Sequence, residues 1–136
     1  MTQWIRFDHE GAVRFGTLAE DTIDVYEGDM FAAPSPTGVR LRLEQVTTLT
    51  PTAAGKMVAL WNNSRAMAAK LGQTEPPEPL YFIKANGSYL ATGETIRKPA
   101  SYDGKVVFEG ELGIVIGTVC RAVSEDDSAQ YIFGYT

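Results

Sequence analysis

Two glutamates separated by one glycine are the residues of this sequence that are best placed to do chemistry. Glu109 and Glu111 fall inside a run of strand-forming apolar residues at 106–117, and residues two apart on a strand point to the same face. Two carboxylates held together in apolar surroundings require a cation, a basic partner or protonation. A divalent cation meets this requirement, and Gly110 would let ligands approach the backbone. The alternative is a wet edge-strand face with lysine partners on the neighbouring strand.

The cysteine and histidine content narrows the kind of metal that such a site could hold. The chain has one cysteine, Cys120, and one histidine, His9, which excludes a structural zinc site with about four N or S ligands. Carboxylate oxygens would select a hard cation. A lone cysteine forms no internal disulfide and is typical of a reducing compartment. We expect His9 in a solvated turn and Cys120 in a packing role.

Charge and hydrophobicity exclude several classes of partner. The 136 residues include 12 Lys and Arg against 17 Asp and Glu, for a net charge of −5. This balance argues against a nucleic-acid partner, because phosphate binding needs a basic face. No apolar stretch approaches the length of a membrane span and no signal segment is present, so we expect a cytoplasmic protein with no membrane partner.

The first fifty residues have the pattern of a small β-domain. Strand-forming and polar residues alternate at 4–7, 12–18 and 22–26, which predicts a meander with one wet face. The proline-rich stretch at 31–38 predicts an irregular connector, and alternation at 39–43 predicts an edge strand. A second junction follows, and we place a domain boundary near residue 50. The predicted domains are 1–50 and 51–136.

Beyond this boundary, apolar runs alternate with turns and helical segments. Strands are predicted where these runs occur, at 57–61, 80–84 and 106–117, and the first is expected to be buried. Strong helix formers at 65–71 lie between a capping Ser64 and a terminating Gly72. A second helix is predicted from Ser124 to about residue 132, with Gly134 ending it. The whole pattern predicts a mostly β (α+β) fold.

Four segments resemble, in order and spacing, the catalytic domain of the fumarylacetoacetate hydrolase family. They begin at Lys56, Glu78, Phe108 and Tyr131 and read KMVAL, EPLYFIK, FEGELGIVIG and YIFGYT. The first fifty residues also resemble the small N-terminal β-domain of many bacterial members. The resemblance implies that a β-rich, partly rolled catalytic domain begins in the second part of the chain.

The resemblance also implies a divalent-cation site. Family members bind Mg²⁺, Mn²⁺ or Ca²⁺ through the two glutamates of E-x-E, here Glu109 and Glu111, and through an aspartate shortly after the Gly-Tyr strand. The metal chelates the oxygens of a 2-oxo acid or 1,3-dicarbonyl substrate and stabilises the enolate. The place of the aspartate lies beyond Thr136, so the chain reads as truncated before its third ligand.

The resemblance implies catalytic groups at three positions, where this chain has a methionine and two lysines. The family has a histidine and a glutamate where Met67 and Lys70 stand, on one face of a helix. Methionine cannot transfer a proton, which puts hydrolysis through this pair in doubt. Lys70 could be an alternative base if burial favoured its neutral form, or a solvated lysine beside an inward-packing Met67 and Leu71. Lys84 aligns with a strand-end lysine near the substrate carboxylate, and is otherwise an ordinary strand-end charge.

These features together predict a metal-dependent enzyme of the fumarylacetoacetate hydrolase type. Its substrate would be a small 2-oxo or 1,3-dicarbonyl acid, and the reaction would act on a C–C bond or a keto–enol equilibrium. Hydrolase, isomerase, decarboxylase and hydratase chemistry all remain open, and the resemblance implies a homodimer. The alternative is a catalytically incomplete member or fragment that acts as a binding or assembly module.

Overall fold

Two compact units make up the protein. The computed structural model describes residues 2–136. The first unit contains the residues up to Pro51 together with Ala91–Thr136, and the second contains Thr52–Leu90. Strands supply most of the regular structure, which confirms the predicted mostly β class. In the described part of the chain, no helix is long and apolar enough to cross a membrane.

A five-stranded antiparallel sheet forms the larger part of the first unit. Its strands are β1 (Gln3–His9), β2 (Ala12–Ala19), β3 (Thr22–Asp29), β4 (Ala32–Arg42) and β5 (Thr47–Thr48), in the spatial order β4-β3-β2-β1-β5. The first three strands confirm the predicted meander. Glu10 and Gly11 connect β1 and β2 with φ of 55° and 79°, as the twist of a two-residue hairpin requires. His9 is the last residue of β1, beside this turn and opposite Ala12.

The fourth strand is longer than the sequence pattern predicts. The stretch at 31–38 is not an irregular connector, because β4 already begins at Ala32. β4 lies at the edge of the sheet, where the missing N–H groups of Pro34 and Pro36 do less harm. The pairing of β4 with β3 shifts its register twice, between Asp24 and Tyr26 and between Glu27 and Asp29. These shifts allow the proline-containing part of β4 to remain in the sheet. The prediction was wrong because proline excludes a central strand but permits an edge strand.

One face of this sheet carries an aliphatic core, and the opposite face carries aromatic side chains. The core consists of buried and partly buried aliphatic and phenyl groups, namely Ile5, Phe7, Leu18, Ile23, Val25, Leu41, Leu43 and Val46. On the opposite face Trp4, Phe15 and Tyr26 are partly buried. The predicted alternation is confirmed, because the residues of β1–β3 on this opposite face are all exposed or partly exposed. The face is not entirely wet, since Phe133 from another part of the first unit packs against Trp4.

The second unit is built from a strand pair and one short helix. β6 (Met57–Trp61) pairs in antiparallel register with β7 (Leu80–Lys84), and α1 (Arg65–Lys70) lies between them in sequence. Both strands confirm the predicted positions, but β6 is not buried. Its large apolar residues are exposed, and Ala68 is the one buried residue of this unit. The reason is that two strands and one short helix cannot cover both faces of the pair.

Helix α1 begins and ends at the residues that the sequence predicts. The Ser64 hydroxyl accepts a hydrogen bond from the Met67 N–H at 3.3 Å, which is the N-cap geometry. Gly72 has a φ of 66°, its N–H donates to the Ala69 carbonyl at 3.2 Å, and the Gln73 N–H donates to the Ala68 carbonyl at 2.9 Å. These two bonds form a Schellman motif, which ends the helix.

A second strand pair completes the first unit. β8 (Ile114–Ile116) pairs antiparallel with β9 (Ile132–Tyr135), which follows a short 3₁₀ helix at Ser128–Tyr131. The predicted strand at 106–117 is therefore regular only at 114–116. Among residues 2–136, no strand faces 106–112, and without a pairing partner that stretch forms no ladder.

The helix predicted from Ser124 is also wrong in extent. The Ser124 hydroxyl does accept a hydrogen bond from the Asp127 N–H at 3.2 Å, as a cap would. Turns and the 3₁₀ helix then take the place of an α-helix, and Ile132 and Gly134 belong to β9. Pairing with β8 overrides the local helix preference, as tertiary context often does.

Candidate functional site

Glu109 and Glu111 lie on an exposed segment that leads into β8. Neither residue belongs to a regular strand, so strand alternation does not itself put the two carboxylates on one face. Two residues beyond Glu111, the Gly113 N–H donates to the Thr136 carbonyl at 2.7 Å, and the Thr136 N–H donates to the Gly113 carbonyl at 2.9 Å. The glutamate pair therefore precedes the hydrogen-bonded end of the β8–β9 pair.

The surroundings of the two glutamates are more open than the sequence predicts. Phe108 is 96% exposed and Leu112 is 71% exposed, so the flanking apolar residues do not bury the carboxylates. A Cβ on Gly110 would meet no atom within 4 Å. The predicted apolar surroundings were wrong for this reason, and the open space at Gly110 leaves room for ligands.

The donor chemistry of this segment fits a hard cation, although the number of donors is small. Two carboxylates supply the oxygen ligands that Mg²⁺ and Ca²⁺ prefer. Within residues 2–136, no group of three or more His, Cys, Asp or Glu side chains could hold a metal ion. Glu109 and Glu111 can therefore form part of a coordination sphere, and its other positions need water or further ligands.

Met67 and Lys70 lie on the surface of α1 in the second unit. Met67 is 46% exposed and Leu71 is 61% exposed, so the predicted inward packing of this pair was wrong. The buried position of the helix belongs instead to Ala68. Lys70 is exposed in the last turn of α1, where a cation interacts favourably with the helix dipole. An exposed position of this kind is typical of a solvated lysine.

Lys84 is the last residue of β7 and is half-buried in the second unit. It lies opposite Met57 in the strand register. Its backbone carbonyl accepts a hydrogen bond from the Tyr89 hydroxyl at 3.3 Å, which fixes the end of the strand.

A groove of about 320 Å³ lies in the second unit, between the end of β6 and the proline-rich segment that follows α1. Trp61 and Leu80 give it apolar walls. Arg65 Nε donates to a carboxylate oxygen of Glu75 at 3.2 Å across its rim, and Asn62 Nδ2 donates to the Thr74 carbonyl at 3.3 Å. The volume suits a small organic ligand. No sequence motif singles out Asn62 or Arg65, which line this groove.

Comparison with sequence families divides the chain into two matched regions. Residues 2–51 match the family described as "Rv2993c-like, N-terminal". Residues 56–136 match the family described as "Fumarylacetoacetate (FAA) hydrolase C-terminal". The second region contains Glu109, Glu111 and both candidate lysines.

Known proteins resemble this chain over most of its length. It is 37% identical over 106 residues to Protein Rv2993c of Mycobacterium tuberculosis, covering 78% of this chain and 40% of the relative. It is 41% identical over 80 residues to oxaloacetate tautomerase FAHD1 of Arabidopsis thaliana, a mitochondrial protein, covering 59% of this chain and 35% of the relative.

The fold comparison agrees with the sequence comparison. The crystal structure of 2-hydroxyhepta-2,4-diene-1,7-dioate isomerase from Mycobacterium marinum superposes with a TM-score of 0.84 at 30% identity, covering 99% of this chain and 52% of the isomerase. The chain therefore spans about half the length of this structure and less of the two relatives. Because the hydrolase-domain match covers more than half of its residues, the chain belongs to the fumarylacetoacetate hydrolase family.

Proposed function

We propose that the protein is an enzyme that isomerises, tautomerises or decarboxylates a small 2-oxo or 1,3-dicarbonyl acid. The observation that supports this proposal is the family match over residues 56–136, a region that contains Glu109, Gly110 and Glu111. Relatives with this domain carry the names oxaloacetate tautomerase and 2-hydroxyhepta-2,4-diene-1,7-dioate isomerase. Both names describe keto–enol or double-bond chemistry of small acids.

Glu109 and Glu111 are the proposed ligands of a divalent cation, Mg²⁺ in the first instance, with Mn²⁺ or Ca²⁺ as substitutes. When bound, such a cation polarises substrate oxygens and stabilises the negative charge that develops on them. The two carboxylates would hold the cation from the exposed segment that leads into β8. Their hard oxygen donors support this assignment.

The proposed role of Lys84 is to bind the carboxylate of the substrate. Its ammonium group offers three donors and a positive charge, and the end of β7 holds its backbone. Lys70 is the weaker candidate for proton transfer, since its exposed side chain is as well explained by a solvated lysine.

Hydrolysis is less favoured than isomerisation, tautomerisation or decarboxylation. It requires a general base that activates water, and Met67 cannot accept or donate a proton. Decarboxylation needs stabilised charge rather than an activated water. Isomerisation and tautomerisation need a group that takes up a proton from carbon and returns it, and Lys70 is the candidate for this transfer.

The test is a tautomerase assay with oxaloacetate, in which the enol absorbance is followed with and without Mg²⁺. We expect Mg²⁺-dependent turnover that falls by roughly 100-fold or more in Glu109→Gln/Glu111→Gln, since the pair would act as one metal site. Glu125→Gln replaces an exposed carboxylate elsewhere in the first unit and should leave the rate unchanged. Equal rates in the double variant and the wild type would contradict the proposal.

A catalytically incomplete member that acts as a binding or assembly module is the second candidate. Met67 and the small number of donors beside Glu109 and Glu111 favour it. It predicts no turnover above the uncatalysed rate, with or without Mg²⁺. We also propose a homodimer in the cytoplasm, and sedimentation analysis of the purified protein tests its assembly.

A further inference from the structure

Aromatic rings of the first unit form one continuous group that joins the five-stranded sheet to β9. Trp4 lies 6.1 Å from Phe15 and 5.1 Å from Tyr26 between ring centroids. From β9, the ring of Phe133 lies 6.2 Å from that of Trp4 and 4.8 Å from that of Phe31. We call these five residues the aromatic cluster. Rings at these separations attract one another beyond their burial of apolar surface.

Phe133 is the extra residue of a β-bulge in β9. In the register of the strand pair, Val115 lies opposite Gly134 and Ile116 lies opposite Ile132, so Phe133 has no residue opposite it. A bulge bends its strand and re-aims the side chain of the extra residue. The bulge thus accounts for how a residue of β9 contacts the sheet while its neighbours keep their pairing with β8.

Gly117 brings the end of β8 close to the aromatic cluster. A Cβ on Gly117 would lie 2.8 Å from the Cβ of Phe133 and 3.4 Å from the Cδ1 of Phe31. The Gly117 N–H donates to the Tyr131 carbonyl at 3.0 Å. The end of β8 is therefore held in two ways: Gly117 is hydrogen-bonded to Tyr131, and it packs closely against Phe133.

The opposite end of β8 leads to the glutamate pair. Backbone hydrogen bonds with Thr136 hold Gly113, and Glu111 lies two residues before it. Since an extended residue spans about 3.3 Å, the Cα atom of Glu111 lies within roughly 7 Å of that of Gly113. The side chains between and before them are exposed, so burial does little to fix this segment. The Gly113–Thr136 hydrogen bonds tie the C-terminal end of this segment to the β8–β9 pair.

We propose that Phe133 is a positioning residue for the cation site of Glu109 and Glu111. Docked in the aromatic cluster, it sets the place of β8 and thereby of the two carboxylates. The inference rests on the proposed function of that site. It also gives the N-terminal sheet a role, because Trp4 and Phe31 supply the surface on which Phe133 packs.

The test measures Mn²⁺ affinity and the state of the aromatic cluster in the same samples. The chain has two tryptophans, so Trp61→Phe leaves Trp4 as the single emitter. In this background we compare Phe133→Ala, Phe133→Tyr and Phe31→Ala, with Mn²⁺ binding followed by the electron paramagnetic resonance of the free ion. We expect Phe133→Ala to shift Trp4 emission and to weaken Mn²⁺ binding roughly tenfold, as is typical when support for metal ligands is lost. Phe133→Tyr should restore both.

Tyr135→Ala is the matched control. Tyr135 is an aromatic residue of the same strand and is 60% exposed, so its replacement should leave Mn²⁺ affinity within about twofold of the parent, in line with other surface changes. Phe31 contacts Phe133 but lies outside β9, so Phe31→Ala removes that contact without changing the strand. If Phe133→Ala does not fold, the Mn²⁺ affinity of Phe31→Ala tests the proposal instead.

Two results would overturn the proposal, and they differ. A shift of Trp4 emission with unchanged Mn²⁺ affinity in Phe133→Ala and Phe31→Ala contradicts the positioning role alone. If the wild type binds no Mn²⁺, or binds it equally well in Glu109→Gln/Glu111→Gln, the proposed cation site is contradicted. The positioning role of Phe133 then fails with it.

Discussion

Gly117 and Phe133 approach each other so closely that a side chain on Gly117 would lie 2.8 Å from the Cβ of Phe133. This contact joins the end of β8 to the bulge of β9, and the bulge residue joins both to the N-terminal sheet. The glutamate pair is thus connected to the first strand of the chain through packing rather than through sequence proximity.

Gly117→Ala should loosen this contact. The added methyl has no space between Phe133 and Phe31, so we expect a loss of about 1–3 kcal/mol in the free energy of unfolding, as for other overpacked sites. Urea unfolding followed by Trp4 fluorescence in the Trp61→Phe background measures it. Gly134→Ala is the control in the facing strand, because a Cβ there meets nothing within 4 Å. Equal stability of the two variants would show that the contact is easily relaxed.

Gly16→Ala should destabilise the five-stranded sheet. A Cβ on Gly16 would lie 2.2 Å from the Asp24 carbonyl oxygen in β3 and 2.9 Å from the Cγ2 of Ile23. The first of these is a backbone atom that cannot move without breaking the strand pairing, so we expect a cost of about 3 kcal/mol, at the upper end for overpacking. Circular dichroism during thermal unfolding measures the effect. Gly55→Ala, where a Cβ meets open space, should melt like the wild type.

Phe7→Ala should be the most damaging substitution in the aliphatic core. Phe7 is fully buried, and its truncation leaves a cavity that costs about 3–5 kcal/mol. Chemical denaturation measures this loss, and Phe7→Leu should recover most of it. Val13→Ala, at an exposed position of β2, should cost less than about 0.5 kcal/mol. A similar cost for both alanine variants would mean that the core face is not the main source of stability.

Gly72→Ala should weaken the end of α1. The left-handed φ of 66° at this residue is strained for an L-amino acid with a Cβ, which costs about 1 kcal/mol. Hydrogen exchange of the Gly72 and Gln73 amides should become faster, because those bonds close the Schellman motif. Gly87→Ala is the control, as its φ is not left-handed. Unchanged exchange in Gly72→Ala would indicate that the helix end adjusts without losing these bonds.

Divalent cations should stabilise the folded protein through the glutamate pair. A ligand that binds only the folded state raises the melting temperature, so we expect a rise with Mg²⁺ or Mn²⁺ that Glu109→Gln/Glu111→Gln abolishes. Differential scanning fluorimetry over a cation titration measures this. Glu125→Gln should retain the full shift. A folded sample with no shift would show that two carboxylates do not hold the metal.

Much of the local structure could be predicted from the sequence because its causes are local. Ser64 caps α1 through its own hydroxyl, and Gly72 ends the helix through its own backbone freedom. The meander and the strand positions of β6 and β7 follow from alternation and turn residues. The resemblance to the fumarylacetoacetate hydrolase family, which the comparisons confirm, also depends on short motifs that can be seen in the sequence.

Burial and strand pairing could not be predicted in this way. An apolar run such as 106–117 indicates strand propensity, but a strand forms only where another segment supplies hydrogen bonds, and β9 does so only beside 113–116. The prolines of β4 are acceptable because that strand lies at a sheet edge. Apolar residues of β6 are exposed because too few elements surround them in the second unit.

The residues that offer chemistry can be read directly from the sequence: two carboxylates one residue apart, two lysines, and a methionine in place of a proton-transfer group. How the glutamate segment is connected to the rest of the first unit depends instead on tertiary packing. Trp4 and Phe133 are far apart in sequence and 6.2 Å apart between ring centroids. Folding brings them together because the bulge re-aims Phe133 toward an aromatic face, and no local pattern encodes which distant ring will cover that face.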